Sequence, residues 1–235
     1  MSPVGGRSRG LWGMRLRRRW AALRPRGRDP MWHRAAVGGL WDVIGPLQLE
    51  FLRSQGLESD DYLLDVGCGS LRAGLHFVRY LDPGHYLGMD VNRALLEAGQ
   101  GELERAGLGD REAVLLVDGD FRFGRFGHKV EMAIAQSVFT HISFNSILRC
   151  LGEMEQVLVP GGRFFATFFE NAHGRLDRDP IEQCEHGTTY CDRNPYHYDP
   201  DALRWAVEGS SLDYELIGDW GHPRNQKMAV FTKQE

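Results

Sequence analysis

A doubly wound α/β fold is predicted from three features of this 235-residue sequence. Short apolar runs rich in β-branched and aromatic residues read as buried strands, and the stretches between them carry apolar residues at helical spacing. A glycine-rich turn falls where the first such strand meets the helix that follows it. Alternating strand and helix argues for a parallel sheet covered on both faces. With 42% hydrophobic residues, the chain can bury one sizeable core, so a single domain with a tail is expected.

The first helix is marked by Leu40, Val43, Ile44, Leu47, Phe51 and Leu52, with Gly56 as its stop. Strands are read at Tyr62 to Val66, Tyr86 to Met89, Val114 to Val117, Met132 to Ala135 and Arg163 to Phe169. Helical patterns fall at Leu71, Leu75, Val78 and Leu81, and again at Ile147, Leu148, Leu151, Met154, Val157 and Leu158, the latter ending near Pro160-Gly161-Gly162. Asp199 is placed to cap a helix that has Pro200 at its first position and carries Leu203, Ala206 and Val207. The chain then closes with Tyr214 to Ile217 and Met228 to Thr232, which are spaced to pair as a hairpin. The polar turn between them, Trp220 to Lys227, reads as a surface hairpin turn, with closure over the substrate as the alternative. Residues 170–200 break the alternation with polar and aromatic residues and read as an insertion.

Charge is divided unevenly along the chain. Nine arginines, Arg7, Arg9, Arg15, Arg17, Arg18, Arg19, Arg24, Arg26 and Arg28, precede the first acidic residue, Asp29. Of the 28 basic residues that leaves 19, against 32 acidic ones. The body is therefore acidic, and a basic groove for nucleic acid is not suggested. Residues 1–35 are expected to form a basic, disordered extension and residues 36–235 the single domain. The start lacks the apolar segment of a secretory signal, and no run approaches the roughly 20 apolar residues that a membrane span needs. The four cysteines, Cys68, Cys150, Cys184 and Cys191, are too few for a disulfide scaffold. A cytoplasmic setting is expected, with organellar import through the Arg-rich start as the alternative.

The central motif is Asp65-Val66-Gly67-Cys68-Gly69-Ser70-Leu71-Arg72-Ala73-Gly74, directly after a strand and opening a helix. Gly67 and Gly69 let the backbone turn sharply and approach a ligand closely, because no Cβ stands in the way. A nicotinamide fingerprint would need a third glycine at position 72, where this chain has arginine. Asp90 ends the second predicted strand, where a carboxylate can accept hydrogen bonds from both ribose hydroxyls. After the third strand, Asp118 and Asp120 in Val117-Asp118-Gly119-Asp120 are placed to reach an adenine amino group, or to be a solvated turn.

Through Leu64 to Gly69, Gly88-Met89-Asp90, Gly119-Asp120 and Val159-Pro160-Gly161-Gly162, the sequence resembles the class I S-adenosylmethionine-dependent methyltransferases over roughly residues 60–235. The resemblance implies a Rossmann-like sheet of seven strands in the order 3-2-1-4-5-7-6, its last strand antiparallel, with flanking helices. It also implies S-adenosylmethionine as cofactor: Asp65, Gly67, Cys68 and Gly69 against the methionine part, Asp90 on the ribose, and Asp120 on the adenine. Val130-Glu131 departs from the Phe-Asp that many members carry before the fourth strand.

In-line methyl transfer needs positioning and desolvation, and a base only where the acceptor must lose a proton. Ligands bind outside the carboxyl ends of such strands, so the segment after the fourth strand supplies two candidates. Gln136 is assigned to cofactor binding and His141 is the candidate base, with packing or capping near Ser143 as its alternative role. His186, Tyr190, Tyr196 and His197 in the insertion are the candidate wall of an acceptor pocket. Cys184, His186, Cys191 and His197 do not match zinc-ligand spacings, so no metal is expected. The function expected is methyl transfer to a small molecule, the alternative being a non-catalytic S-adenosylmethionine-binding or partner-binding protein. The sequence does not specify an oligomeric state.

Overall fold

A computed structural model describes residues 29–235 apart from 172, 174–177 and 184–186. The strands are β1 (Leu63–Val66), β2 (Tyr86–Asp90), β3 (Val114–Val117), β4 (Val130–Ala135), β5 (Leu158–Glu170), β6 (Ile181–Glu182), β7 (Thr188–Thr189), β8 (His197–Tyr198), β9 (Leu212–Gly218) and β10 (Lys227–Lys233). The helices are α1 (Trp32–Ala36), α2 (Trp41–Ser54), α3 (Gly74–Tyr80), α4 (Arg93–Arg105), α5 (Phe144–Val157) and α6 (Pro200–Trp205). The main sheet runs β3-β2-β1-β4-β5-β10-β9. Its first five strands are parallel, and β10 is antiparallel to both β5 and β9. The expected seven-strand order is thus the observed one.

Alternation along each strand divides the core into two layers. Leu64, Leu87, Ala133, Phe164 and Phe231 face Ile147, Leu151 and Met154 of α5 and Leu203 of α6. Leu63, Tyr86, Met132, Ile134 and Phe165 face Leu52 of α2, Phe77 and Val78 of α3, and Leu96 and Leu103 of α4. Because β1 is covered on both faces, all four of its residues are buried. The parallel register, Asp65 beside Gly88 and Ile134, brings the carboxyl ends of β1, β2 and β4 to one edge, where loops meet a ligand.

Several sequence expectations shift. The helix expected to run toward Pro160 ends at Val157, and β5 starts at Leu158. Pairing jumps from Val130–Leu158 to Met132–Arg163, so Pro160 to Gly162 is accommodated as a bulge, with Gly161 at φ +75. Helix α4, not marked by its sequence pattern, is capped by Asn92, whose Oδ1 accepts from Ala94 N at 3.0 Å. Asp199 caps α6 as expected, accepting from Asp201 N at 2.8 Å. The insertion contributes the small β6–β7 pair and adds β8 to β5 in parallel; Cys184 and His186 lie outside the described residues. Residues 1–28, most of the expected basic extension, also lie outside them. Structure begins earlier than the expected boundary at residue 36, since Trp32–Ala36 is helical and His33 is buried. Among the described residues, no helix is long and apolar enough to cross a membrane.

Candidate functional site

The glycine-rich turn leaves β1 with Gly67 at φ +72 and Gly69 at φ +58, a left-handed backbone that side chains disfavour. Space reinforces the conformation: a Cβ at Gly67 would lie 2.5 Å from Val138 Cγ2, and one at Gly69 would lie 2.7 Å from Val37 Cγ1. Gly67 N and Cys68 N both donate to Met89 O, at 2.7 and 3.1 Å, which ties the turn to the end of β2. Asp90 completes the tie. Its Oδ2 accepts from Gly69 N at 2.9 Å and its Oδ1 from Asn92 N at 2.7 Å. Burial pushes this carboxyl up, opposed by those backbone N–H groups.

Asp65 is buried beneath the turn, and Tyr86 Oη donates to its Oδ2 at 2.8 Å. Burial raises its pKa to about 7, against the pull of that hydroxyl. The Cys68 side chain is buried as well, and burial holds its thiol far above the ordinary value; what this residue presents to a ligand is therefore backbone. The two carboxylates after β3 separate in role. Asp118 is locked in place, its Oδ2 2.7 Å from Arg122 Nε and 3.0 Å from Arg125 Nη1, and its Oδ1 accepting from Asp120 N at 2.7 Å. Asp120 is exposed, with only long pairs to Arg149 at 3.7 Å and Arg122 at 3.9 Å.

At the ends of β4 and β5 lies a polar cluster that the sequence reading largely missed. Gln136 Nε2 is 2.9 Å from His222 Nε2 and 3.0 Å from Ser137 Oγ, while Gln136 Oε1 is buried with no hydrogen-bond partner. Ser137 Oγ and Thr167 Oγ1 both donate to Gln226 Oε1, at 3.0 and 2.7 Å. Arg224 N donates to His222 Nδ1 at 3.2 Å. His222 and Gln226 are 5% and 3% exposed, which corrects the reading of Trp220 to Lys227 as a surface turn. The signal available in the sequence was the density of polar side chains in a turn between two apolar strands.

The N-terminal segment covers the same edge. Arg72 Nη1 donates to the carbonyls of Val37 and Gly39 at 3.0 and 2.8 Å, and the Arg224 guanidinium donates to that of Gly38. Helix α1 is held to α4 through Glu102, which takes a forked contact from Arg34 at 3.1 to 3.2 Å and lies 3.2 Å from His33 Nε2. Burial lowers the His33 pKa, with Glu102 opposing.

The insertion candidates are only partly brought together. His141 sits in a short 3-10 turn after β4, and its Nδ1 is 2.8 Å from Asn194 Oδ1. Tyr196 N donates to Thr140 O at 2.7 Å, and Tyr196 stacks on Tyr198. Tyr190 lies under the Arg193 guanidinium at 3.8 Å. His197 is 2% exposed, with Nδ1 3.0 Å from Thr189 Oγ1. Among the described residues, no group of three or more His, Cys, Asp and Glu is placed to hold a metal.

Residues 64–164 match a family model described as a methyltransferase domain. An uncharacterised protein of Methanocaldococcus jannaschii is 30% identical over 80 residues, 33% of this chain; the match spans 21% of that relative's length. The fold is similar to that of a magnesium protoporphyrin IX methyltransferase from Synechocystis solved with bound S-adenosylmethionine, with a TM-score of 0.61, 10% identity, and 97% of this chain and 100% of that one covered. It is also similar to an S-adenosylmethionine-dependent methyltransferase from Clostridium acetobutylicum, with a TM-score of 0.62, 10% identity, and 85% and 94% covered. An rRNA methylase from Streptococcus thermophilus gives a TM-score of 0.53 at 13% identity, covering 80% and 95%.

Proposed function

We propose that this chain, whose residues 64–164 match a methyltransferase-domain model and whose fold is similar to that of S-adenosylmethionine-dependent methyltransferases, transfers a methyl group from S-adenosylmethionine to a small polar acceptor. The observation that carries this reading is the turn at Gly67 and Gly69, left-handed at both glycines and fastened to Asp90 through Gly69 N. When bound, S-adenosylmethionine supplies a methyl group activated on a sulfonium.

The residues present fit that group. At Gly67 and Gly69 the place a Cβ would take is filled by Val138 and Val37, so the two glycines serve the sharp left-handed turn that brings the backbone to the ends of β1 and β2. Asp65 offers a carboxylate to an ammonium, Asp90 holds the ribose, and the exposed Asp120 is the better placed of the two later carboxylates to reach the adenine. Asp118 instead organises the turn that presents Asp120. Gln136, with an unpaired buried oxygen, orients a polar ligand where β4 ends. His141, steadied by Asn194, is the candidate to take a proton from the acceptor. Tyr190, Tyr196 and His197, with His186, are proposed to build the acceptor wall.

A small acceptor is favoured over nucleic acid because the body beyond the nine N-terminal arginines is acidic. The test is incubation of the purified chain and labelled S-adenosylmethionine with cell extract, read by mass spectrometry. A labelled small molecule is expected with the wild type and not with Asp90→Ala. No labelled product from any acceptor pool, with the cofactor still bound, would leave only a binding role.

A further inference from the structure

Two guanidinium groups beside the glycine-rich turn lack an acidic partner. Arg72 is 8% exposed and Arg224 half-buried. Neither takes part in an ion pair among the described residues. Their hydrogen bonds go to three successive backbone carbonyls, those of Val37, Gly38 and Gly39. Carbonyls satisfy donors but do not cancel charge, and a buried cation is costly unless a counter-charge is close.

Arg72 also has unused capacity. A guanidinium has five N–H donors; both bonds of Arg72 leave from Nη1, and its Nε is buried with no acceptor. The Asp65 carboxyl acts on it through space, but Asp65 is engaged by Tyr86. The two arginines come from opposite sides. Arg72 follows directly on the turn that would hold the donor, and Arg224 belongs to the turn that brings His222 and Gln226 to the ends of β4 and β5.

We infer that Arg72 and Arg224 form a carboxylate-binding pair at the junction of the donor and acceptor sites. A planar carboxylate matches the fork of a guanidinium and supplies the missing counter-charge. Resting on the methyltransferase reading, the carboxylate has two sources: the amino-acid end of the donor, or an acidic acceptor.

The test is calorimetric titration of S-adenosylhomocysteine and of methylthioadenosine into wild type, Arg72→Met and Arg224→Gln. Methylthioadenosine keeps the nucleoside and thioether but has no carboxylate. If the pair holds the donor, both variants lose about 10-fold or more in affinity for S-adenosylhomocysteine and none for methylthioadenosine. If it holds the acceptor, both nucleosides bind the variants unchanged, and labelled products retained on an anion exchanger disappear while neutral ones persist. Equal loss of both nucleosides, or no change in either titration or in the labelled products, would overturn the pair. Arg224→Gln, at a half-buried position, keeps the test open should Arg72→Met fail to fold. A wild-type chain that binds neither nucleoside refutes the methyltransferase reading and the pair with it.

Discussion

At the scale of single residues, the turn at Gly67 makes the sharpest demand. Gly67→Ala forces a left-handed alanine toward Val138 and is expected to lower the melting temperature by about 2–8 °C, from a cost of about 1–2 kcal/mol; a differential scan with no shift would contradict the geometry. Asp65 gives a pH dependence. Its folded pKa of about 7 lies above the ordinary 3.8, so the folded state holds a proton that the unfolded state releases. The stability this provides is complete below pH 4 and is lost as pH rises toward and through 7. Denaturant titrations of wild type against Asp65→Asn should show the wild type losing ground between pH 4 and 7 and a constant difference above that window. A pH-independent difference would sink the assignment. The glycine-rich turn was legible in the sequence because its glycines and Asp90 are a local pattern. The division of labour between Asp118 and Asp120 was not, because it depends on Arg122 and Arg125 folding back onto one carboxylate.

At the scale of elements, the segment from Asp29 to Leu40 behaves as a strap. Gly38, Gly39 and Leu40 all have positive φ, at 87, 64 and 49, and form a bend between α1 and α2. Val37 lies over Gly69, and Glu102 fastens α1 to α4. Glu102→Gln should therefore speed amide exchange across residues 33–39 by about 10-fold, the expected loss for a charge-assisted contact. Unchanged exchange there would show that the ion cluster does not hold the strap. None of this was visible in sequence, since Arg34 and Glu102 are 68 positions apart and their residue types are those of any solvated helix face. Gln136 was legible from its place after the fourth strand, but the other members of its polar cluster, Thr167, His222 and Gln226, were hidden for the same reason. Each member is unremarkable on its own strand or turn until β10 pairs with β5.

At the scale of the whole molecule, the sheet order followed from alternating patterns and from the family resemblance, and every main-sheet strand lies where an apolar run placed it. The insertion was read only as a break in rhythm, because two-residue strands such as β6, β7 and β8 are too short to show a period. The parallel strands deliver Asp65, Asp90 and Gln136 to one edge from three separate strand ends, and the proposed nucleoside site rests on that convergence. The proposed donor site is built from described residues alone, so a chain lacking residues 1–28 should bind S-adenosylhomocysteine within about twofold of the full chain. A much larger loss in calorimetry would tie the basic segment to the site.

The central claim is that the edge built on Gly67, Gly69 and Asp90 holds S-adenosylmethionine. Calorimetric titration with S-adenosylmethionine tests it most directly. A 1:1 complex with a Kd of about 1 μM, near 8 kcal/mol, that is lost in Asp90→Ala is the predicted result; a folded wild-type chain that takes up no S-adenosylmethionine, or an Asp90→Ala variant that binds it as tightly as wild type, would contradict it.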